Sequence, residues 1–424
     1  MLKSLKIVGF KSIRSAELKF GRSNIFIGPN GSGKSNILEA LGVLSSALSR
    51  GFDPGVLADR GVRLSLPRLF KSAFKGKALS PHLRLEAQFE NGHYECSIRA
   101  GLSSKHLEFH SEMLSDGNVK VFGRGPNGVT ISKRFVDLES GDFGRLSSVR
   151  SVWDTVSPFA KISEGLRAEL EEFSRFAIFA PQTAVMRGLA TESRIVHPLG
   201  LAGSGLAGAF RDVLRKRAIE SSEIKKQYDA ILGLIKSPGW VSKIIVGGFD
   251  PSIVPSEVTS DGLLLYFQDR FMTEKRRHLS AYDASEGTLY LTFIATLLLH
   301  KEAPRIFALD NVDGTLNPDL VRQLTETVVN VSSSGTGVGN LTHQSFMTSH
   351  HPSSIDSFDI FNDMHRVYTA KRNEDRNGST EFIPIVPPAG MTKEEWIEES
   401  RGHSLSRLWL DDKIPGALIP RCAL

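Results

Sequence analysis

Near the start of the chain, Gly28, Gly33, Lys34 and Ser35 satisfy the spacing GxxxxGK[ST], and each residue type has its own task. Glycines at 28, 31 and 33 let successive backbone N–H groups turn inward around a phosphate, with Pro29, Asn30 and Ser32 filling the loop. Lys34 carries a cation long enough to reach β- and γ-phosphates, and Ser35 offers a hydroxyl for Mg²⁺. The helix that follows, from Asn36 to Leu48, adds the positive end of its dipole. An apolar strand, Asn24–Ile27, precedes the loop, which is the context this chemistry requires. A nucleotide phosphate site is expected here.

Three further segments, all far downstream, carry side chains suited to the same chemistry. Ile306-Phe-Ala-Leu-Asp310 is an apolar strand ending in a carboxylate, the Walker B form, and Asp310 would hold Mg²⁺ opposite Ser35. Ala284-Ser-Glu-Gly-Thr288 leads into an apolar helix that Ser285 is placed to cap. Phe346-Met-Thr-Ser-His-His-Pro352 reads as a strand delivering His350 to its C-terminal end.

The elements that must position these residues fall into two α/β blocks around a long middle. The first block holds short strands at Leu5–Val8, Ala16–Phe20 and Asn24–Ile27. Alternating segments at His82–Phe89 and Tyr94–Ala100, joined by Asn91-Gly92, predict a hairpin, with further strands at His106–Leu114 and Val119–Phe122. Helical spacing covers Ile162–Phe176 and Leu206–Ile235. The second block runs helix Glu286–His300, strand Arg305–Leu309, helix Pro318–Val331 and strand Ser345–Thr348. Ser333–Asn340 reads as a flexible loop. The expected division is an N-terminal lobe at 1–60, an insertion at 61–270, a C-terminal lobe at 271–372 and an extension at 373–424 that contacts a partner or another copy.

Composition narrows the class. The chain has 424 residues, 40% hydrophobic and 23% charged, which is ordinary for globular proteins. Two cysteines, Cys96 and Cys422, provide neither a disulfide framework nor a metal cluster and suit the cytoplasm. Lys3 and Lys6 precede no long apolar core, so no signal peptide is expected, and Leu289–Leu299 is too short to cross a bilayer. The formal charge of +5 permits contact with DNA, for which Arg215-Lys-Arg217 and Lys275-Arg-Arg277 are candidates.

Taken in order, the phosphate loop, Ser-Glu-Gly before a helix, strand-Asp and strand-His resemble an ATPase of the SMC, RecF and OLD branch of the ABC class. Ile7-Val-Gly-Phe-Lys-Ser-Ile13 and Ile27–Ala40 are close to the usual wording of that branch. The resemblance implies an α/β fold, an ABC-type (RecF/SMC-like) P-loop ATPase head with an inserted mixed α+β and helical lobe, using ATP and Mg²⁺. It implies that Ser285, Glu286 and Gly287 form a signature facing ATP on a second, head-to-tail copy, and that His350 is a switch histidine. It also suggests Gln182 as a metal-side glutamine and Lys11 as a nucleotide contact. One departure stands out. Where the family follows the Walker B Asp with a catalytic Glu, this chain has Asn311, which can orient a water but cannot accept a proton. Weak hydrolysis is expected; the alternative is that Asp313 or His350 carries the step at a normal rate. Only about 50 residues follow the last ATPase strand, against roughly 100 for a nuclease domain, so no nuclease is expected in the chain itself. The absence of Leu-Ser-Gly-Gly-Gln argues against a transporter. Compact ATPases of this type resemble those of anti-phage operons, the PtuA subunits of Septu among them, which implies an operon-encoded nuclease such as an HNH protein as partner. A RecF-like DNA-repair clamp is the alternative.

Overall fold

The computed structural model describes all residues except 79, 102–104, 136–145, 195–196, 257, 259–261, 334–341, 412 and 414–424. At its centre lies a six-stranded sheet in the order Ser379–Ile385, His365–Asn373, Ser23–Ile27, Gln344–Ser349, Ile306–Leu309, Ala177–Phe179. The last five run parallel, and Ser379–Ile385 closes one edge antiparallel. Parallel strands covered on both faces need apolar residues at consecutive positions, and Ile25, Phe26 and Ile27 are all completely buried. The two-residue period sorts them: Phe26, Ala308 and Phe346 enter one core, and Ile27, Leu309 and Met347 the other.

The first core also takes helix Lys34–Ala47 and one face of a seven-stranded antiparallel sheet. That sheet runs Ile13–Lys19, Leu2–Phe10, Leu83–Phe89, Gly92–Arg99, Glu108–Asp116, Val119–Gly125, Gly128–Ile131. The second core takes helices Leu206–Ile219, Ser222–Gly233, Glu286–Leu299 and Pro318–Ser333, and part of a three-stranded sheet, Val241–Gly247, Leu264–Asp269 and His278–Ser280. Glu286–Leu299 is apolar around its whole circumference and, past its first turn, is buried throughout. Its threonines satisfy themselves: Thr292 and Thr296 donate to the carbonyls one turn back, both at 2.7 Å.

Three expected divisions depart from the hydrogen bonding. The boundary at 60/61 separates Leu2–Phe10 from Leu83–Phe89, which pair directly. Ala177–Phe179, from within the expected insertion, is a strand of the central sheet. Ser379–Ile385, from the expected extension, pairs along His365–Asn373 and belongs to the same sheet. The physical reason is common to all three: sheet pairing joins segments distant in sequence, which local periodicity does not register. The stretch 206–235 is two helices rather than one, because Ser221 caps a new start at Ser222. The loop expected at Ser333–Asn340 lies, beyond its first residue, outside the described residues.

Candidate nucleotide site

The phosphate loop leaves the buried strand Ser23–Ile27 and turns through three residues in the left-handed region, Gly28, Gly31 and Gly33 at φ 148°, 77° and 100°. Two of these glycines are also required by packing. A Cβ on Gly28 would meet the Ala370 carbonyl at 2.3 Å, and one on Gly33 would meet Thr380 Oγ1 at 2.2 Å. Pro29 is half-buried, Asn30 and Gly31 are exposed, and Ser32 is buried. Support comes from below: Thr380 Oγ1 donates to the Ser32 carbonyl at 2.8 Å and lies 2.6 Å from Ser12 Oγ. Asn36 Nδ2 donates to the same Ser12 hydroxyl at 2.6 Å.

Lys34 is 6% exposed, and its ammonium donates to the carbonyls of Gly28 (2.7 Å) and Pro29 (3.0 Å) in its own loop. Burial pushes its pKa below the ordinary lysine value, opposed by the negative charges of Asp313 and Asp310. Ser35 Oγ donates to Asp310 Oδ1 at 2.9 Å, so the Walker A hydroxyl and Walker B carboxylate meet directly. The same carboxylate oxygen accepts from Thr348 Oγ1 at 2.6 Å, and Thr348 Oγ1 accepts from the Asn311 N–H at 2.8 Å. Asn311 is exposed with φ 54°, a left-handed conformation that asparagine tolerates better than most residues.

Asp313 is almost completely buried. Its Oδ2 accepts from the His350 N–H at 3.2 Å and lies 3.0 Å from His350 Nδ1, while the imidazole itself is half-exposed. Gln182 lines a cleft of about 480 Å³ that also takes in Ser35, Asp310 and Asn311. Ser285 caps its helix by accepting from the Thr288 N–H at 3.2 Å, and the turn before it is held by Arg187, which donates to the Ala284 carbonyl at 2.9 Å. Ser285 and Glu286 are exposed and Gly287 is half-buried.

Lys11 is less available than its position in the sequence suggested. Its ammonium is engaged by Glu39, whose other oxygen accepts from Arg63 at 2.7 Å. Burial lowers the Lys11 pKa, with Glu39 working against that shift. Lys11 does border a cleft of about 550 Å³ beside the loop that also exposes Arg63, Arg68, Lys71, Lys75 and Arg372. The two basic runs differ. In Arg215–Arg217, Lys216 pairs with Glu220 at 2.6 Å and Arg217 donates twice to Asp229 at 2.7 and 2.8 Å. Lys275 and Arg276 sit exposed at a hairpin tip beside Phe271 and Met272.

Sequence reasoning missed Thr348, Thr380, Glu39 and Arg63. Thr348 had a signal, since it lies two residues before His350 on the same strand. Thr380 had none, because its role depends on an antiparallel edge strand packing beneath the loop.

Residues 1–108 match a family described as "AAA ATPase domain", and residues 206–356 match one described as "AAA domain, putative AbiEii toxin, Type IV TA system". A DNA replication and repair protein RecF from Magnetococcus marinus (strain ATCC BAA-1437 / JCM 17883 / MC-1) is 49% identical over 49 residues, 11% of this chain and 13% of that protein. Among solved structures, an SMC head bound to the C-winged helix domain of ScpA aligns with a TM-score of 0.53 at 13% identity, covering 92% of this chain and 99% of that one. The fold is thus that of an SMC head, a mixed α/β arrangement of several sheets. The two family matches and the phosphate-loop motif support a P-loop ATPase built on this fold. Among the described residues, no helix is long and apolar enough to cross a membrane.

Proposed function

We propose that the chain binds ATP with Mg²⁺, closes head to tail on a second copy, hydrolyses slowly, and uses that cycle to control a separate effector. One observation carries this reading: Ser35 and Asp310 are brought within 2.9 Å while the position after Asp310 holds an amide rather than a carboxylate. The donor set suits Mg²⁺, a hard cation that takes oxygen ligands: a hydroxyl, a carboxylate and, from the same cleft, the Gln182 amide oxygen. The ion would supply charge neutralisation at the β- and γ-phosphates.

The remaining tasks belong to the chain's own side chains. Loop N–H groups from Asn30 to Ser35 bind phosphate oxygens, and Lys34 exchanges the Gly28 and Pro29 carbonyls for the phosphate charge. Asn36 and Ser12 brace the loop. Lys11 contributes through Glu39 rather than by direct contact, because its ammonium is already paired. Asn311 orients a water without taking its proton. Asp313 grips His350 by Nδ1, which leaves Nε2 free to accept that proton. Ser285 caps, and Glu286 and Gly287 begin, a 14-residue helix whose exposed first turn is suited to the γ-phosphate of a second copy.

The effector in this proposal is an operon-encoded nuclease, such as an HNH protein, in an antiviral system of the PtuA/Septu type, and the site of action is the cytoplasm. Binding of ATP alters the effector if the effector distinguishes open from closed pairs. A second reading, a RecF-like DNA clamp, is favoured by the cluster of cations in the cleft next to the phosphate loop. Ser285→Arg tests the shared site. ATP-dependent self-association, measured by sedimentation, should be lost while calorimetry still reports one ATP per chain. Wild-type assembly by this variant overturns the two-copy reading. Purified wild-type chain should not cut DNA, and metal-dependent cleavage abolished by a point change in the chain would return it to the nucleases.

A further inference from the structure

Two buried polar atoms next to the site have no hydrogen-bond partner among the described residues: Tyr290 Oη and Asp313 Oδ1. One is a hydroxyl donor and the other a carboxylate acceptor. Each is costly to leave unpaired, and a single hydrogen bond between them would relieve both. They lie on elements already in contact. Gly287 approaches Leu316 so closely that a Cβ on the glycine would stand 3.1 Å from Leu316 Cδ2. Tyr290 follows Gly287 by three residues, on the same face of its helix. Leu316 in turn donates its N–H to the Asp313 carbonyl at 3.1 Å. Burial, then the negative charges of Asp313 and Asp310, push the Tyr290 phenol up, so it remains a donor.

We propose that Tyr290 is a positioning residue: when Ser285–Gly287 engages the nucleotide of a second copy, the helix settles against the 311–316 loop and Tyr290 Oη donates to Asp313 Oδ1. This rests on the two-copy reading above. The bond fixes Asp313, whose other oxygen holds His350, and so reports contact with the partner's nucleotide to the chain's own γ-phosphate side. In the open form both atoms stay unsatisfied, which biases the molecule toward closure once ATP is present.

Tyr290→Phe keeps the ring and removes only Oη. Its thermal midpoint without nucleotide should equal or exceed that of wild type, because an unpaired hydroxyl has been removed. The increment in midpoint caused by ATP should shrink by at least about half, and kcat should fall roughly tenfold at unchanged KM, the loss of one hydrogen bond to a charged group. Asp313→Asn supplies the second arm. The double variant should be no slower than the slower single variant, as for two atoms acting as a pair. A lower nucleotide-free midpoint in Tyr290→Phe, additive losses in the double variant, or an ATP increment and kcat equal to wild type each overturn the proposal. If wild type itself gains nothing from ATP, the nucleotide reading falls and takes this inference with it. An increment that survives Tyr290→Phe removes the inference alone.

Discussion

The phosphate loop and the loop that faces it differ in how they are assembled. Gly28–Ser35 is one contiguous segment between a buried strand and a buried helix, and its lysine is already bonded twice to its own carbonyls. One buried hydroxyl there, Ser32 Oγ, lacks a partner among the described residues. The rest of the candidate site draws on four separate segments, at 182, 285–290, 310–316 and 348–350. It holds a left-handed Asn311, an exposed turn at Ser285 and Glu286, and the atoms of Asp313 and Tyr290 that are unpaired among the described residues. The contrast indicates a division of labour. On the proposed reading, the first half holds phosphate on its own and the second half is completed only by closure on a second copy.

Breaking the first half should have the largest effect. Lys34→Ala removes two charge-assisted contacts to phosphate, each worth about 1.5–3 kcal/mol, so ATP affinity by calorimetry should fall by roughly 10²- to 10⁴-fold. Because that ammonium, among the described residues, bonds only its own loop's carbonyls, the fold should persist by circular dichroism. Unchanged affinity would remove the assignment of the loop.

Changes in the second half should alter rate more than affinity. Asn311→Glu restores a carboxylate where a general base typically contributes about 10²- to 10⁴-fold. The gain should be smaller, near tenfold, because the glutamate must adopt φ 54° at a cost of roughly 1 kcal/mol. Steady-state phosphate release gives the rate, and thermal melting gives the strain. Equal or lower turnover with ATP binding intact would place the base elsewhere, at the Asp313–His350 pair. Thr348→Val is the mildest change. It removes the hydroxyl shared by Asp310 and the Asn311 N–H and should cost about 1–3 kcal/mol in urea unfolding. An effect much below that range would mean the Asn311 loop does not depend on Thr348 for its position.

The same contrast governs how much could be read from the sequence. The phosphate loop was legible because all its parts lie within a dozen residues and flank a strand and a helix with clear periodicity. Asp310, Ser285 and His350 were legible because each sits at the end of an apolar element. Gln182 was a weaker candidate, and it reaches the cleft only because Ala177–Phe179, too short to show a period, adds an edge to the sheet. The pairing of Lys11 with Glu39 was not legible, since 28 positions separate the two and the motif stretches that contain them do not say which side chains meet. Pairing across the expected limit at 60/61 was not legible for the same reason: the register of Leu2–Phe10 against Leu83–Phe89 depends on tertiary packing, not on local propensity.

The placement of strand Ser23–Ile27 has a consequence for synthesis. It lies between Gln344–Ser349 and His365–Asn373, and the loop it feeds rests on Ala370 and Thr380. A ribosome that has translated the phosphate loop has therefore made none of the strands on either side of it, nor the residues beneath it. The nascent chain must wait for nearly the last of its sheet before that loop can take shape, a high contact-order arrangement that folds late. Nucleotide should bind only to chains translated past Thr380, so a prematurely terminated copy would have no hold on ATP.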